Sequence, residues 1–252
     1  MFKFKIAIFI VALGFIFNLR AAKAGEPNDR AAQNDIDWVR VPAGKFSLGE
    51  APSVHTYTLE QPITIPSGPI TCEQYARFLK ATGRTAPVFP TDDVRISELA
   101  SRFIWKGQEP PKGFENWPVT FVTQEDALAY CQWLSQLTGL VYRLPRQNEL
   151  DYCLAGAWGK KPNIWIGPGR NVAWWQLSPV GAEGEDRGSM IMSQFNLQCF
   201  PAALMEWTSA EWVASSGSGH RPRNKATHFF GMQGIGQRLE VYGLRIIVET
   251  KG

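Results

Sequence analysis

The sequence predicts a single α+β domain with much of its length in loops. Three segments have the periodicity and end signals of helices, and three others have the character of strands. The 252 residues include 23 glycines and 17 prolines, which favour turns over long regular elements. Ten tryptophans and a hydrophobic fraction of 44% supply enough apolar surface for one large core.

The predicted strands are residues 38–47, 56–65 and 242–249. The first two alternate apolar and polar residues, as antiparallel strands with one buried face do. Residues 84–117 and 156–193 lack a regular pattern and are predicted as loops, with a short helical stretch near residues 96–103. Pro145 stops any strand before it, and residues 148–155 are predicted to form a short helix.

The two longer helices carry start and stop signals. Thr71 and Gln74 predict a capping box at the start of the first helix. Thr123 is predicted as the N-cap of the second helix, with Asp126 three residues on as a further acceptor. Gly139 is predicted as its left-handed C-cap. The apolar face of the second helix consists of Ala127, Tyr130, Cys131, Leu134 and Leu137.

Several segments occur in the order that a known family shows. Two adjoin each other, PVTFVTQEDALAYCQWLSQLTG and YRLPRQNELDYCLAG. The others are WVRVPAGKFSLGE, GPITCEQYARFLKATG, MEWTSAEW and YGLRIIVE. Together they resemble the sulfatase-modifying-factor family, that of the formylglycine-generating enzyme, over residues 38–249. The resemblance implies the fold of that family, a loop-rich α+β variant of the C-type-lectin-like fold.

Residues 1–24 have the features of a cleaved secretory signal peptide. Lys3 and Lys5 precede an apolar run, residues 6–17, that is too short to span a bilayer. The sequence Ala-Lys-Ala that ends at residue 24 matches an A-x-A cleavage site. An uncleaved anchor is the alternative. We expect a periplasmic protein with no membrane insertion after cleavage, a flexible segment at 25–37 and a single domain at 38–252.

Cleavage changes the net charge of the protein. It removes four of the 26 basic residues and none of the 23 acidic ones, so the formal charge falls from +3 to −1. A chain of this charge has no excess of cations to neutralise phosphates. We therefore expect no nucleic-acid partner.

The resemblance implies an oxidase chemistry whose ligands this sequence lacks. Formylglycine-generating enzymes oxidise a substrate cysteine with a copper ion that two cysteines near the C-terminus hold, and soft thiolates suit cuprous ion. The cysteines here are Cys72, Cys131, Cys153 and Cys199, and none follows residue 199. We therefore expect no copper and no catalytic residue. An even cysteine count in an exported protein leaves one disulfide or none as open alternatives.

Calcium is a second metal that the resemblance implies. Ala203 stands where calcium-binding relatives have a ligand asparagine, and Glu206 alone makes a poor site. Asn171 matches a ligand of the family's other calcium site and is a weak candidate. His220 and His228 form only a weak metal pattern, and exposed surface histidines are the alternative. We expect no cofactor, with calcium as the alternative.

Five residues that match family positions are expected to be structural hubs, meaning side chains that satisfy several buried polar groups at once. A single arginine can bind loop carbonyls and a carboxylate together, which suits a domain with few regular ladders. The expected hubs are Arg143, Glu149, Glu206, Trp207 and Arg245.

The stretch 212–230 is the predicted partner-binding region. Aromatic and arginine side chains are the usual anchors of protein interfaces. The candidates are Trp212, His220, Arg221, Arg223, His228, Phe229 and the adjacent Phe230. The alternative is that the phenylalanines belong to the core and the arginines are merely solvated.

Two functions are compatible with these features. The first is a non-catalytic periplasmic binding or regulatory protein, a pseudoenzyme that promotes activation of a membrane-spanning kinase controlling type VI secretion. Its partner is then the periplasmic domain of that kinase. This function is proposed by analogy with a branch of the family that acts upstream of such a kinase. The analogy rests on the signal peptide, the length and the missing cysteines. The second is a periplasmic enzyme of pyoverdine-type siderophore maturation that lacks the copper cysteines and uses Glu206 or Glu211.

The signal-peptide assignment predicts a product that starts at Gly25. We expect the protein recovered from a periplasmic fraction to have the mass of residues 25–252, because the A-x-A site ends at Ala24. Intact-mass measurement checks this expectation. A retained N-terminus, or recovery in the inner membrane alone, would contradict it.

Overall fold

Two four-stranded sheets, two hairpins and three helices make up the part of the chain that the structure describes. The computed structural model describes residues 35–48, 55–88, 104–155, 178–182, 191–200, 204–210, 213–215, 220–222 and 242–249. The helices are α1 (Cys72–Thr82), α2 (Gln124–Thr138) and α3 (Gln147–Ala155). The strands are β1 (Trp38–Val41), β2 (Gly44–Leu48), β3 (His55–Leu59), β4 (Ile63–Pro66), β5 (Val141–Arg143), β6 (Ile191–Met192), β7 (Gln198–Cys199), β8 (Met205–Trp207), β9 (Val213–Ser215), β10 (His220–Pro222), β11 (Tyr242–Gly243) and β12 (Ile247–Glu249). This mixture of short elements and loops confirms the predicted α+β class.

The two sheets differ in strand direction. The first sheet has the order β1-β4-β12-β5, and its neighbouring strands are antiparallel. The second has the order β10-β9-β8-β11, in which β8 and β11 run parallel. The pairs β2–β3 and β6–β7 form separate antiparallel hairpins. Since β11 and β12 are separated only by residues 244–246, the C-terminal segment passes directly from the second sheet to the first.

Each of the three predicted strands is two strands in the structure, so the prediction of continuous strands was wrong. Residues 38–47 divide into β1 and β2 at Pro42, which has no N–H to donate to a ladder. Residues 56–65 divide into β3 and β4, with Pro62 just before β4. Residues 242–249 divide where the chain crosses between sheets. The prediction treated each segment as one strand and did not locate these breaks.

The helix starts confirm the capping predictions. The Thr71 hydroxyl accepts the Gln74 N–H at 3.2 Å, and the Gln74 side chain accepts the Thr71 N–H at 2.9 Å. The Thr123 hydroxyl accepts the Asp126 N–H at 3.1 Å. These bonds satisfy amides that have no partner within the helix.

The helix ends also follow the sequence. Gly83 and Gly139 terminate α1 and α2 in the left-handed region, with φ of 70° and 75°. Strand β5 ends at Arg143, two residues before Pro145. The short helix predicted at 148–155 is α3, which begins one residue earlier.

Two buried clusters fill the described part of the domain. The first packs α1 and α2 together through aromatic rings: Tyr75 and Tyr130 stack with centroids 5.8 Å apart, and Phe78 meets both edge-on. On the predicted face of α2, Leu137 is only partly buried, and the other four residues are buried. The second cluster joins α3 to both hairpins and to β12, and it includes Leu150, Leu197 and Ile247.

The packed domain begins before residue 38. Ile36 is 5% exposed and belongs to the first cluster, and the Asp35 carboxylate forms an ion pair with Arg77. Residues 35–37 of the segment predicted to be flexible thus contribute a buried apolar side chain, that of Ile36, to the domain. Residues 1–34, which include the predicted signal peptide, lie outside the described residues.

Arg245 is completely buried and connects three parts of the domain. Its guanidinium donates to both carboxylate oxygens of Glu206 on β8, at 2.8 and 3.1 Å. It also donates to the carbonyls of Pro66 and Ser67 at the end of β4, at 3.1 and 3.3 Å. A further bond of 2.6 Å reaches the Gln198 carbonyl on β7. Arg245 thus ties the second sheet, the first sheet and the β6–β7 hairpin together.

The short helical stretch predicted near residues 96–103 lies outside the described residues, and so does most of the loop predicted at 156–193. No helix in the described ranges combines the length and the apolar character that crossing a membrane requires.

Substitution of Gly243 tests how closely β11 approaches the segment before α2. A Cβ there would lie 2.7 Å from the Val119 carbonyl oxygen and 3.1 Å from the Leu204 side chain. Since a backbone oxygen cannot swing aside, we expect Gly243→Ala to lower the free energy of unfolding by about 2 kcal/mol. Gly139→Ala is the control, because Gly139 has a positive φ with open space around it, and it should cost roughly 1 kcal/mol. Urea denaturation measures both, and a smaller loss at Gly243 than at Gly139 would contradict the packing argument.

Removal of the Arg245 side chain tests its connecting role. Arg245→Met leaves Glu206 buried without a counter-charge, so we expect a loss of about 3–5 kcal/mol in unfolding free energy. The double variant Arg245→Met, Glu206→Leu should recover part of that loss, since no buried charge remains.

Lys80→Met is the matched control for this substitution. Lys80 pairs with Glu109, and the two side chains are 50% and 65% exposed. Exposed ion pairs contribute about 0–1 kcal/mol, so the control should change stability little. Equal losses for Arg245→Met and Lys80→Met would show that Arg245 does not hold the domain together.

Candidate functional site

The second sheet contains the part of the predicted partner-binding stretch that the structure describes. Strand β10 includes His220 and Arg221, which pair with Ser215 and Ala214 of β9. Successive residues of a strand lie on opposite faces of a sheet. By backbone register, His220 and Arg221 therefore occupy positions on opposite faces of the sheet.

The pairing of β9 with β8 shows which β8 residues lie on each of the two faces. Ser215 pairs with Glu206, and Ala214 pairs with Trp207. One face thus carries the row Glu206, Ser215 and His220, and the other carries the row Trp207, Ala214 and Arg221. Neighbouring strands lie about 4.8 Å apart, so each outer residue is roughly 10 Å from its β8 counterpart along the sheet.

Trp207 joins β8 to the start of α2. Its indole N–H donates to the Val122 carbonyl at 2.8 Å, and its ring stacks on Tyr242 with centroids 4.7 Å apart. The Gln124 side-chain amide donates to two carbonyls of the loop after β8. Those carbonyls belong to Thr208 and Ala210. The loop that leads toward residue 212 is therefore held against the N-terminus of α2.

Phe121, next to this junction, has an unusual backbone conformation. Its φ is 61°, in the left-handed region that bulky side chains rarely adopt. Among the described residues, Asn196 is the other non-glycine residue with positive φ, and asparagine tolerates this region. The residue type of Phe121 offers no signal of this conformation in the sequence, because phenylalanine disfavours positive φ.

A second ion-pair network surrounds Arg143. Its guanidinium donates to both oxygens of Glu149, at 2.7 and 2.9 Å, and to Glu249 at 2.8 Å. Burial would raise the pKa of Glu149, but the Arg143 bonds and the N–H of Arg146 outweigh burial and lower that pKa below its ordinary value. Glu149 is therefore an ionised structural group that a positive charge holds in place.

The four cysteines are free and buried. Burial raises the pKa of the Cys72, Cys131 and Cys199 thiols to about 12, and it raises the pKa of Cys153 as well. Protonated thiols are poor metal ligands, because the thiolate is the binding form. Cys72 and Cys131 belong to one core cluster and the other two to the second cluster. These residues do not fit a copper site. The sequence left one disulfide or none as alternatives, and the structure has none among these four cysteines.

Glu206 does not fit a calcium site either. Both of its oxygens accept hydrogen bonds from the guanidinium of Arg245, so its negative charge is already paired with a buried cation. The described residues contain no group of three or more potential metal-ligating side chains. The weak calcium candidate Asn171 lies outside the described residues, as does Ala203.

The other predicted partner-binding residues also lie outside the described residues. They are Trp212, Arg223, His228, Phe229 and Phe230. Of this group, the structure gives only the backbone placement of His220 and Arg221. Among the expected hubs, Arg143 binds Glu149, and Arg245 binds Glu206. Trp207 contacts the segment just before α2 through its bond to Val122.

Known proteins resemble the chain over most of its length. The sulfatase-modifying factor enzyme 1-like domain matches residues 23–238. The formylglycine-generating enzyme of Streptomyces coelicolor is 28% identical over 197 residues, which are 64% of this chain and 58% of that enzyme. The chain therefore spans less than two thirds of the length of that curated relative.

Solved structures resemble the fold at low sequence identity. The structure of PvdO from Pseudomonas aeruginosa has a TM-score of 0.51 at 18% identity, covering 84% of this chain and 94% of PvdO. Treponema denticola variable protein 1 has a TM-score of 0.47 at 14% identity, covering 84% and 94%. The match to residues 23–238 shows that the chain belongs to the sulfatase-modifying factor family and has the α+β fold of formylglycine-generating enzymes.

Proposed function

We propose that this chain is a non-catalytic member of its family that acts in the periplasm by binding a protein partner. The observation that carries the proposal is the placement of its cysteines. No cysteine follows residue 199, and all four thiols are buried with raised pKa values. The chain therefore lacks the accessible late thiolate pair that copper-dependent oxidation requires.

The buried carboxylates support a structural role over acid–base chemistry. Glu206 and Glu149 are 2% and 5% exposed, and each is bound through both oxygens by one arginine. A general acid or base must reach the proton that it transfers. Neither carboxylate is free to do so. This arrangement weighs against the alternative siderophore-maturation enzyme where that mechanism relies on Glu206; Glu211 lies outside the described residues.

The proposed partner is the periplasmic domain of a membrane-spanning kinase that controls type VI secretion. The branch of the family that motivates it is represented by the periplasmic regulator TagR. Its support is the predicted signal peptide, the single domain and the missing late cysteines. Secretion and kinase genes beside the coding sequence would favour this role, and siderophore-synthesis genes would favour the alternative.

An oxidation assay tests the non-catalytic part of the proposal. We expect no conversion of a sulfatase-type cysteine peptide by the purified chain with copper and oxygen supplied. The Streptomyces coelicolor enzyme serves as the positive control under the same conditions. Cysteine-dependent turnover above the blank would contradict the proposal.

A binding assay tests the partner. We expect the double variant Arg221→Ala, Arg223→Ala to bind the kinase's periplasmic domain more weakly, by about thirtyfold for the loss of one anchor of roughly 2 kcal/mol. The thermal midpoint should not change. Arg40→Ala with Lys45→Ala is the matched control, because it removes two exposed cations from β1 and β2 of the described chain. Equal binding by both double variants would place the interface elsewhere, and no binding by the wild type would exclude this partner.

A further inference from the structure

Helix α3 and the β6–β7 hairpin pack against each other in the second buried cluster. The rings of Tyr152 on α3 and Phe195 in the hairpin loop stack with centroids 5.3 Å apart. Leu150 of the helix and Leu197 of the hairpin are both completely buried in the same cluster. These two elements, which are distant in sequence, therefore share an apolar interface.

Each of the two elements contributes one cysteine to this cluster. Cys153 on α3 is 0% exposed, and Cys199 on β7 is 1% exposed. Burial, and in addition the nearby Cys199 thiol, raise the pKa of Cys153, while the guanidinium of Arg245 opposes the rise at both thiols. Arg245 also donates to the carbonyl of Gln198, the residue before Cys199. The two thiols therefore lie in one region of the core, beside the same buried arginine.

The other two cysteines have different surroundings. Cys72 and Cys131 belong to the first cluster, and the Cys72 thiol donates to the Pro118 carbonyl at 3.8 Å. Burial is the main cause that raises the pKa of both thiols, but a different charged group acts on each, Glu115 on Cys72 and Arg143 on Cys131. These two thiols therefore face different groups, unlike Cys153 and Cys199.

We propose that Cys153 and Cys199 form a disulfide in the periplasm and that Cys72 and Cys131 remain thiols. This rests on the export that is part of the proposed function, because disulfides form and persist in oxidising compartments. The oxidant is the disulfide of a thiol–disulfide oxidoreductase. One cysteine thiolate attacks it to give a mixed disulfide, and the other thiolate then displaces the oxidoreductase sulfur. The pair loses both thiol protons and two electrons, and the oxidoreductase is reduced to its dithiol.

Burial decides when this exchange can take place. The attacking species is the thiolate, and in the folded chain both thiols are buried and protonated. The bond therefore forms while the chain is folding, when the cysteines are still in contact with water. The sulfurs of a disulfide lie about 2.05 Å apart, so α3 and the hairpin must draw together as they pack. Once the interface has closed, the same burial keeps reductants away from the bond.

The disulfide would close a long loop of the chain. Cys153 and Cys199 are 46 positions apart, and the residues between them include all of the loop predicted at 156–193. A cross-link that closes a long loop restricts the unfolded chain and so favours the folded one. We expect the thermal midpoint of the cross-linked chain to be about 5–10 °C above that of the reduced chain.

Thiol labelling of the wild-type chain tests the cross-link. The full chain is expressed with its own N-terminus, recovered from a periplasmic fraction, and denatured in the presence of N-ethylmaleimide. We expect the intact mass to show two labelled cysteines, and all four after prior reduction. Peptide mapping should assign the link to Cys153 and Cys199. Four labelled cysteines without reduction, or a link that involves Cys72 or Cys131, would refute the proposal.

The thermal midpoint with and without a phosphine reductant provides a second measurement. We expect the reductant to lower the midpoint of the wild type and of the control Cys131→Ala by about 5–10 °C. It should leave the midpoint of Cys153→Ala unchanged, whatever that variant loses through its smaller side chain. A shift in Cys153→Ala as large as in the wild type would contradict the assignment. If Cys153→Ala does not fold, the mass of the wild type decides alone.

The outcomes separate this inference from the proposed function. A cross-linked chain that does not bind the kinase domain would support the disulfide and refute the proposed partner. Four free thiols in a chain recovered from the periplasm that binds the kinase domain would support the partner and refute the disulfide. A chain that is found only in the cytoplasm, with all four thiols free, would refute both.

Discussion

The described part of the fold depends on one buried ion pair, that of Arg245 and Glu206. The strands of this domain are at most five residues long, so their ladders supply few hydrogen bonds. Arg245 compensates at the point where the chain leaves the second sheet for the first: its five N–H groups make five bonds, two to Glu206 and three to backbone carbonyls. A buried guanidinium is costly unless every donor has an acceptor. The satisfaction of this one group therefore links both sheets and the β6–β7 hairpin.

The same pair limits the chemistry that is available to Glu206. This carboxylate is buried and its charge is paired with Arg245, an arrangement that favours a structural role over cation binding or proton transfer. The thiols are limited by a different cause, because apolar surroundings keep them protonated. In both cases groups that could be reactive in water serve the interior of the protein.

Local sequence signals predicted the helices well and the strands less well. The caps at Thr71, Thr123, Gly83 and Gly139 depend on atoms within four residues of each other, so the sequence contains all the information that they need. A strand, in contrast, ends where its partner strand ends. Nothing local in residues 242–249 shows that Tyr242 pairs with Met205 in one sheet while Val248 pairs with Thr64 and Tyr142 in another.

By itself the sequence determined the α+β class, the helix boundaries, the family and the absence of a cysteine after residue 199, because each follows from residue types at fixed spacing. It also indicated Arg143, Glu149, Glu206 and Arg245 as polar residues of interest. Only the tertiary structure decided which of them pair, that His220 and Arg221 lie on opposite faces, and that Phe121 has a positive φ. These features arise from contacts between segments as far apart as Pro66 and Arg245. Such contacts form only when the whole chain packs, since burial of the apolar clusters is needed to bring these distant segments together.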